Sequence, residues 1–563
     1  MLLAGALSVG CSDESTPTRG ISLSIKGPLF DSPFDDPAVA FVALVAEGPD
    51  IPIDSVQTVV AYASSASLSL PRVPYGQDRQ LRVELYRKGA DGQPALPVIG
   101  RGRTTPTDIE FGELFNQRVY VTKTNAFTPP YSDAKQAPKM NGRAGASVVV
   151  TSDDSVIIAG GADAVDGKSN PLDPASWGGF KSSLARYDVG PRVLEALSSS
   201  SGTAALSVGR AFMASAVGKK GKAVFAGGYS GEPPTVSNLM EFYDPSNDTV
   251  KTSPGTFPHL RYGRARHTIT RLFDDEDYFM VVGGQGTTAD AASTREIWHP
   301  EGGRLAIGKL SGPRWNHGAV RLPNGTGGHV MLIGGENENG PLANFEVIQF
   351  DACLRLAVPN GGGGACKLHP TCTGQGVALQ VCEAPTELPT FRTFPWPTVI
   401  QPLAGGVGRS LPAVAYVHNT SPSYHLVMVV GGFADAKKTH ALTRVDVFDV
   451  QAGAWLPQTS PLLTPRGAPL LAWTRVGHQR GQVLVTGGLD ANGQTLTTGE
   501  VLTFDLVTRK VLRTWVANEL PPPGRVFAGA VALSTGHVLI AGGAGRAGDV
   551  LQASSSMLLY NPR

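Results

Sequence analysis

No stretch of eighteen or more apolar residues occurs in the 563-residue sequence, so no segment is long enough to cross a bilayer as a helix. Charge is scarce: Asp, Glu, Lys and Arg make up 17% of the chain, and the formal net charge is +1. The sequence has no block of Lys or Arg, which argues against nucleic acid as a partner, because such a surface needs a concentrated basic footprint. Disorder is disfavoured as well, since 41% hydrophobic residues at low net charge can bury a core. The signatures G-x-S-x-G, H-E-x-x-H and the P-loop are missing. Cysteine is rare, with five residues, and four of them crowd together: Cys353, Cys366, Cys372 and Cys382.

Glycine (68) and proline (43) are plentiful and punctuate many short Val/Ile/Leu/Ala runs, which points to a turn-rich all-β chain. Its length exceeds one ordinary compact domain, so several domains or a repeat architecture is expected. A short apolar run followed by Gly-Gly occurs seven times, the doublets ending at Gly161, Gly228, Gly284, Gly335, Gly432, Gly488 and Gly543. An Arg precedes each doublet by a near-constant interval: Arg143, Arg210, Arg264, Arg314, Arg409, Arg466 and Arg525. After most doublets comes an aromatic residue with a polar turn former, as in Tyr243-Asp244 and Phe448-Asp449. One supersecondary unit is therefore repeated, with insertions in two loops.

This three-part pattern resembles the kelch repeat over about residues 140–563, although the usual Trp is mostly replaced by residues such as Val193, Val250 and Leu305. The resemblance implies a seven-bladed β-propeller of four-stranded blades, each burying both faces against its neighbours. The chain stops after the third strand of its last repeat, so residues 118–127 are expected to supply the missing strand and lock the ring. Residues 21–117 lack doublets and alternate apolar and polar positions between Gly/Pro/Asp turns. They read as a small antiparallel β-sandwich, immunoglobulin-like or similar, ahead of a propeller spanning 118–563.

The opening MLLAGALSVGC resembles a bacterial lipoprotein signal in which Cys11 is acylated; it departs from it in having no basic residue before the apolar run and Ser8 where Leu is usual. An ordinary short signal peptide is the alternative. Residues 12–20 form a polar tether after it. Acyl chains contribute roughly 0.8 kcal/mol per buried CH2, so an acylated Cys11 would be the only membrane attachment. The resemblance implies export, to the outer membrane, the periplasm or the cell surface. In that setting Cys353, Cys366, Cys372 and Cys382, within an insertion at about 353–405, are expected to form two disulfides. Three connectivities stay open, and a zinc site is disfavoured by the absence of a C-x-x-C pair.

Function is expected on the face carrying the loops that follow the doublets. The seven repeated Arg residues serve the repeat better than they serve one ligand. Residues particular to single repeats are better ligand-binding candidates: Arg266, His267, Trp315, Asn316 and His317. No cofactor, metal site or catalytic set is expected. The leading expectation is a non-catalytic module binding a surface protein or glycan. The competing expectation is a carbohydrate-active enzyme, since some kelch propellers act on sugars. Copper radical oxidases such as galactose oxidase need a Cys cross-linked to Tyr, whereas every Cys beyond Cys11 here lies in one cluster. Sialic-acid mutarotases are similar but have six blades.

Overall fold

The computed structural model describes residues 21–349 and 401–563, apart from 29, 53, 63–72, 111–114, 131–138, 169, 191–192, 198–203, 255–256, 275, 325–326, 421–422, 458, 477–479, 506–507, 509 and 517. Cys11 and the cluster Cys353, Cys366, Cys372 and Cys382 lie outside the described residues, and the disulfide and lipid-attachment expectations lie there with them.

The architecture is nearly all β and propeller-like. Seven four-stranded antiparallel sheets follow one another along the chain. Their first strands are Ser147–Val150, Ala214–Val217, Thr268–Arg271, Gly318–Asn324, Ala413–Thr420, Leu470–Val476 and Gly529–Ala532. Each first strand touches the next, and the seventh touches the first, so the sheets close a ring. The second strand of each sheet ends immediately before its Gly-Gly doublet, and its last four residues are buried, as in Phe279–Val282. That explains its Val/Ile/Ala/Met composition, which is apolar on both faces.

The doublets join sheet to sheet. The second Gly N–H of every doublet donates to the carbonyl of the next repeat's Arg, from Gly161 to Arg210 around to Gly543 to Arg143, at 2.7–2.9 Å. The first Gly has φ between 57° and 66°. A Cβ there would lie 2.3–2.6 Å from that same carbonyl oxygen. Glycine is required on both counts, left-handed backbone and close approach. Apolar clusters fill the spaces between adjacent sheets. Val149, Ile157, Phe225 and Tyr243 pack between the first and second, for example, and Tyr187, Ile158, Leu539 and Leu559 between the seventh and first.

The turn formers act as their chemistry implies. Asp449 Oδ1 accepts from the N–H groups of Gln451 and Ala452, and His299 Nδ1 accepts from Glu301 N–H. The fourth strand of the fourth sheet is Gln401–Pro402, at the far end of the cysteine-bearing insertion.

The fourth strand of the seventh sheet is Ala126–Thr128, pairing with Met557–Asn561. Only Ala126 and Phe127 of the expected closing strand 118–127 take part. Phe115–Tyr120 and Thr122–Lys123 pair instead with Ile21–Lys26 and Pro94–Arg103 in the N-terminal unit. That unit is built on a sheet in which Phe41–Glu47, Gly76–Lys88 and Pro94–Arg103 are central. Ile21–Lys26 and Phe115–Tyr120 form a separate two-stranded ladder that runs parallel, where antiparallel pairing was expected. Leu23 and Val119 on this ladder share one core with Val42, Leu44, Val83 and Leu85 of the larger sheet.

Candidate functional site

Each repeat Arg stands four residues before the first strand of its sheet and is almost wholly buried. Five of the seven pair with a carboxylate: Arg210 with Glu241, Arg264 with Glu296, Arg314 with Glu346, Arg409 with Asp446, and Arg466 with Glu500. Arg143 and Arg525 donate to Ser183 and Ser556 at the matching place. Most also donate to the carbonyl of the first doublet Gly, as Arg264 does to Gly283 at 2.8 Å. These guanidiniums hold strand to strand and are not presented to a ligand.

Two residues after each Arg the backbone turns left-handed. Gly145, Phe212, Arg266, Asn316, Leu411, Ala468 and Phe527 all have φ between 46° and 61°. Five backbone hydrogen bonds link neighbours in this set: Gly145 N–H donates to Phe527 O, Phe212 to Gly145, Asn316 to Arg266, Leu411 to Asn316, and Ala468 to Leu411. A girdle of seven side-chain positions thus surrounds the mouth of the ring on the doublet face. Six of the seven are non-glycine in a conformation that disfavours L side chains, and the girdle hydrogen bonds hold them there.

The girdle opens into a recess of about 270 Å3. Its wall is mainly apolar and includes four aromatic residues, Trp177, Phe212, Tyr229 and Phe527. Phe212 and Phe527 meet edge to face at 5.2 Å, and Trp177 packs on both, at 5.6 and 6.4 Å. Trp177 comes from the long loop after the first doublet. There Asp163–Ala164 and Trp177–Gly178 pair as a small hairpin, and Trp177 Nε1–H donates to Pro171 O at 3.2 Å. Leu172, in this loop, packs with Leu411, Ala468 and Phe527 against a buried cluster of Phe433, Ala441, Leu489 and Val526.

The polar side chains on the wall are Arg266, Asn316 and the phenol of Tyr229. Arg266 Nη2–H donates to the Leu172 carbonyl and, among the described residues, is paired with no carboxylate. Asn316 Nδ2–H donates to Glu336 Oε1 at 2.6 Å, and Trp315 Nε1–H donates to the same oxygen at 3.1 Å. Lys438 Nζ pairs with the other Glu336 oxygen. Tyr229 O–H donates to Gln285 Oε1 at 3.3 Å. Burial pushes the Tyr229 phenol above its usual range, with Arg266 acting in the opposite direction.

Of the five residues singled out from the sequence, the structure brings Arg266 and Asn316 into the recess. Trp315 turns its indole to Glu336 beside it. His267 and His317 are buried between sheets, each pressed against the doublet of its own repeat and that of the preceding one. His317 Nε2 lies 2.9 Å from Thr268 Oγ1. Burial, reinforced by Arg314, pushes the His317 imidazole down to about 3, and burial with Arg264 and His317 nearby pushes His267 well below its usual value. Trp177, Phe212, Tyr229, Phe527 and Leu172 were not singled out. The constant offset from each Arg could have found Phe212 and Phe527; nothing in the sequence marks Leu172 or Trp177 beyond the extra length of their loop. Among the described residues, no group of three or more His, Cys, Asp or Glu is placed to hold a metal ion.

No family model and no curated protein matches the sequence. Among solved structures, a novel fungal alcohol oxidase of the AA5 family, in complex with copper, aligns at 12% identity with a TM-score of 0.48, over 76% of this chain and 75% of that one. YjhT aligns at 13% identity with a TM-score of 0.39, over 67% of this chain and 99% of its own.

Proposed function

We propose that the seven sheets are the blades of a kelch-type propeller preceded by a small β-sandwich. In this reading the whole is an exported, Cys11-anchored, non-catalytic module that binds a protein or glycan at the cell surface. The observation that carries it is the chemistry of the recess. Among its lining residues are no carboxylate, histidine, serine or cysteine, and its titratable groups are one guanidinium and one phenol. Such a wall offers shape and a single charge for recognition but no paired acid and base for turnover. A carbohydrate-active enzyme would need that pair at the same mouth.

The test uses the purified full chain against a glycan array and in cross-linking to intact cells, beside Leu411→Trp, which fills the recess from its rim. A partner or glycan captured by the wild type and lost in the variant is expected. Capture unaffected by Leu411→Trp would place recognition elsewhere and sink the reading.

A further inference from the structure

The polar and apolar parts of the recess are segregated. Trp177, Phe212 and Phe527 form a closely packed aromatic wall, and Arg266 and Asn316 lie together on one side, adjacent in the girdle. A sugar would bring several hydroxyls against this wall, and most would lose their water without gaining a partner, which disfavours binding. A ligand with one anionic end and an apolar body meets no such penalty.

Arg266 defines the anionic end. It differs from the five buried repeat arginines that pair with Glu or Asp, because its described side-chain partners are neutral, the Leu172 carbonyl and the Tyr229 phenol. A guanidinium carries five N–H donors in a planar fork that matches a carboxylate, and a charged acceptor displaces a neutral one. Asn316 adds the second recognition element. Its Nδ2 is committed to Glu336, which fixes the amide plane, and its Oδ1 is uncommitted among the described residues. An acceptor beside a carboxylate-binding guanidinium suits an amide N–H on the same carbon that bears the carboxylate.

We propose, resting on the reading of the recess as the binding site, that it captures an apolar residue bearing a free α-carboxylate, as at the C-terminus of a polypeptide. The apolar side chain fills the aromatic wall, the carboxylate takes Arg266 in place of the Leu172 carbonyl, and the last peptide N–H donates to Asn316. The volume of about 270 Å3 lies at the small end of ligand sites, matching one side chain rather than an extended segment. Because the Leu172 carbonyl is displaced, binding also loosens the first-repeat loop from the mouth.

Titration calorimetry of the purified full chain with N-acetylphenylalanine and N-acetylphenylalaninamide tests this. The acid is expected to bind about 10-fold more tightly or better, the usual weight of a charge-assisted pair. Arg266→Gln should erase that preference, while Arg266→Lys, which keeps the charge, should retain part of it. Equal binding of acid and amide, a preference surviving Arg266→Gln, or no binding of either compound would each overturn the proposal. A pentapeptide ending in Phe and 3-phenylpropionate distinguish the sources. Peptide binding supports a polypeptide C-terminus, and binding of phenylpropionate alone overturns it in favour of a small free acid. If Leu411→Trp abolishes cell-surface capture while the acid shows no preference, the recess remains the site and only this ligand assignment fails.

Discussion

Three residues after each repeat Arg comes a position beside the doublets, filled by Ala146, Met213, His267, His317, Pro412, Pro469 and Ala528; Met213, His267 and His317 wedge between two doublets. Ideal Cβ positions on the adjoining glycines fall within 2.7–3.1 Å of Met213, His267 and His317 atoms, so the space is tightly bounded. A methionine and two histidines occupy one kind of slot, which identifies the histidines as shape-filling. Keeping them neutral there has a consequence for acid stability. His317 is held at about 3 in the folded chain, against an ordinary value near 6.5. The unfolded chain therefore binds more protons between those values, and stability is lost as pH falls through that window. His317→Met, copying Met213, removes one such proton. Between pH 6.5 and 4.5 the wild type should lose about 2 kcal/mol more than the variant. Urea unfolding midpoints at the two pH values measure this, and parallel loss in both proteins would refute it.

At the scale of the element, the doublet carries the fold, and it was also the most legible feature of the sequence. Seven Gly-Gly pairs at repeat spacing indicated the ring because the same geometry recurs seven times: positive φ at both glycines and a backbone carbonyl too close to admit Cβ. Gly431 illustrates the demand, with φ of 61° and Arg466 O only 2.4 Å from an ideal Cβ. Gly167 has φ of 74° but nothing within 4 Å. Gly167→Ala should therefore cost about 1 kcal/mol, for the backbone conformation alone. Gly431→Ala should cost about 3 kcal/mol or more, because the fifth sheet must also move away from the sixth. Thermal and urea unfolding of both variants decide the matter, and similar losses would mean that the close approach is unimportant.

The candidate site was less legible. The girdle position is set by backbone geometry rather than residue type, so Gly145, Phe212, Asn316 and Leu411 share no chemistry that a pattern would reveal. Leu172 and Trp177 reach the recess from a loop whose path is fixed by tertiary packing. Arg266 and Asn316 stood out only as polar residues particular to single repeats, and the same criterion also selected His267 and His317, which are core.

At the scale of the whole molecule, the N-terminal unit and the ring are stitched at the seventh sheet. Asn561, the last residue of Met557–Asn561, is 2% exposed. Its Nδ2 donates to Arg101 O at 2.8 Å, Thr122 O at 3.0 Å and Thr122 Oγ1 at 2.8 Å, all in the N-terminal unit. Arg101 in turn donates to Pro562 O at 3.2 Å and to Glu84 Oε1 at 2.7 Å. Burial raises the Glu84 carboxyl, but Arg101 and Arg82 overcome it and bring the group down to about 2. The strand that follows, Ala126–Thr128, closes the ring by pairing with the strand that Asn561 ends. The two parts are therefore expected to unfold together. Asn561→Leu removes these hydrogen bonds from buried acceptors on Arg101 and Thr122, although Thr122 Oγ1 keeps His537 Nε2 at 3.2 Å, and should cost about 1–3 kcal/mol. Because the loss falls on the contact that anchors the closing strand, the variant should unfold in two steps, the seventh sheet and N-terminal unit before the remaining ring. Differential scanning calorimetry reads this directly: one transition in the wild type and a split, lower first transition in Asn561→Leu are expected. Two transitions already present in the wild type would show instead that the N-terminal unit is thermodynamically separate and that the ring closes without its help.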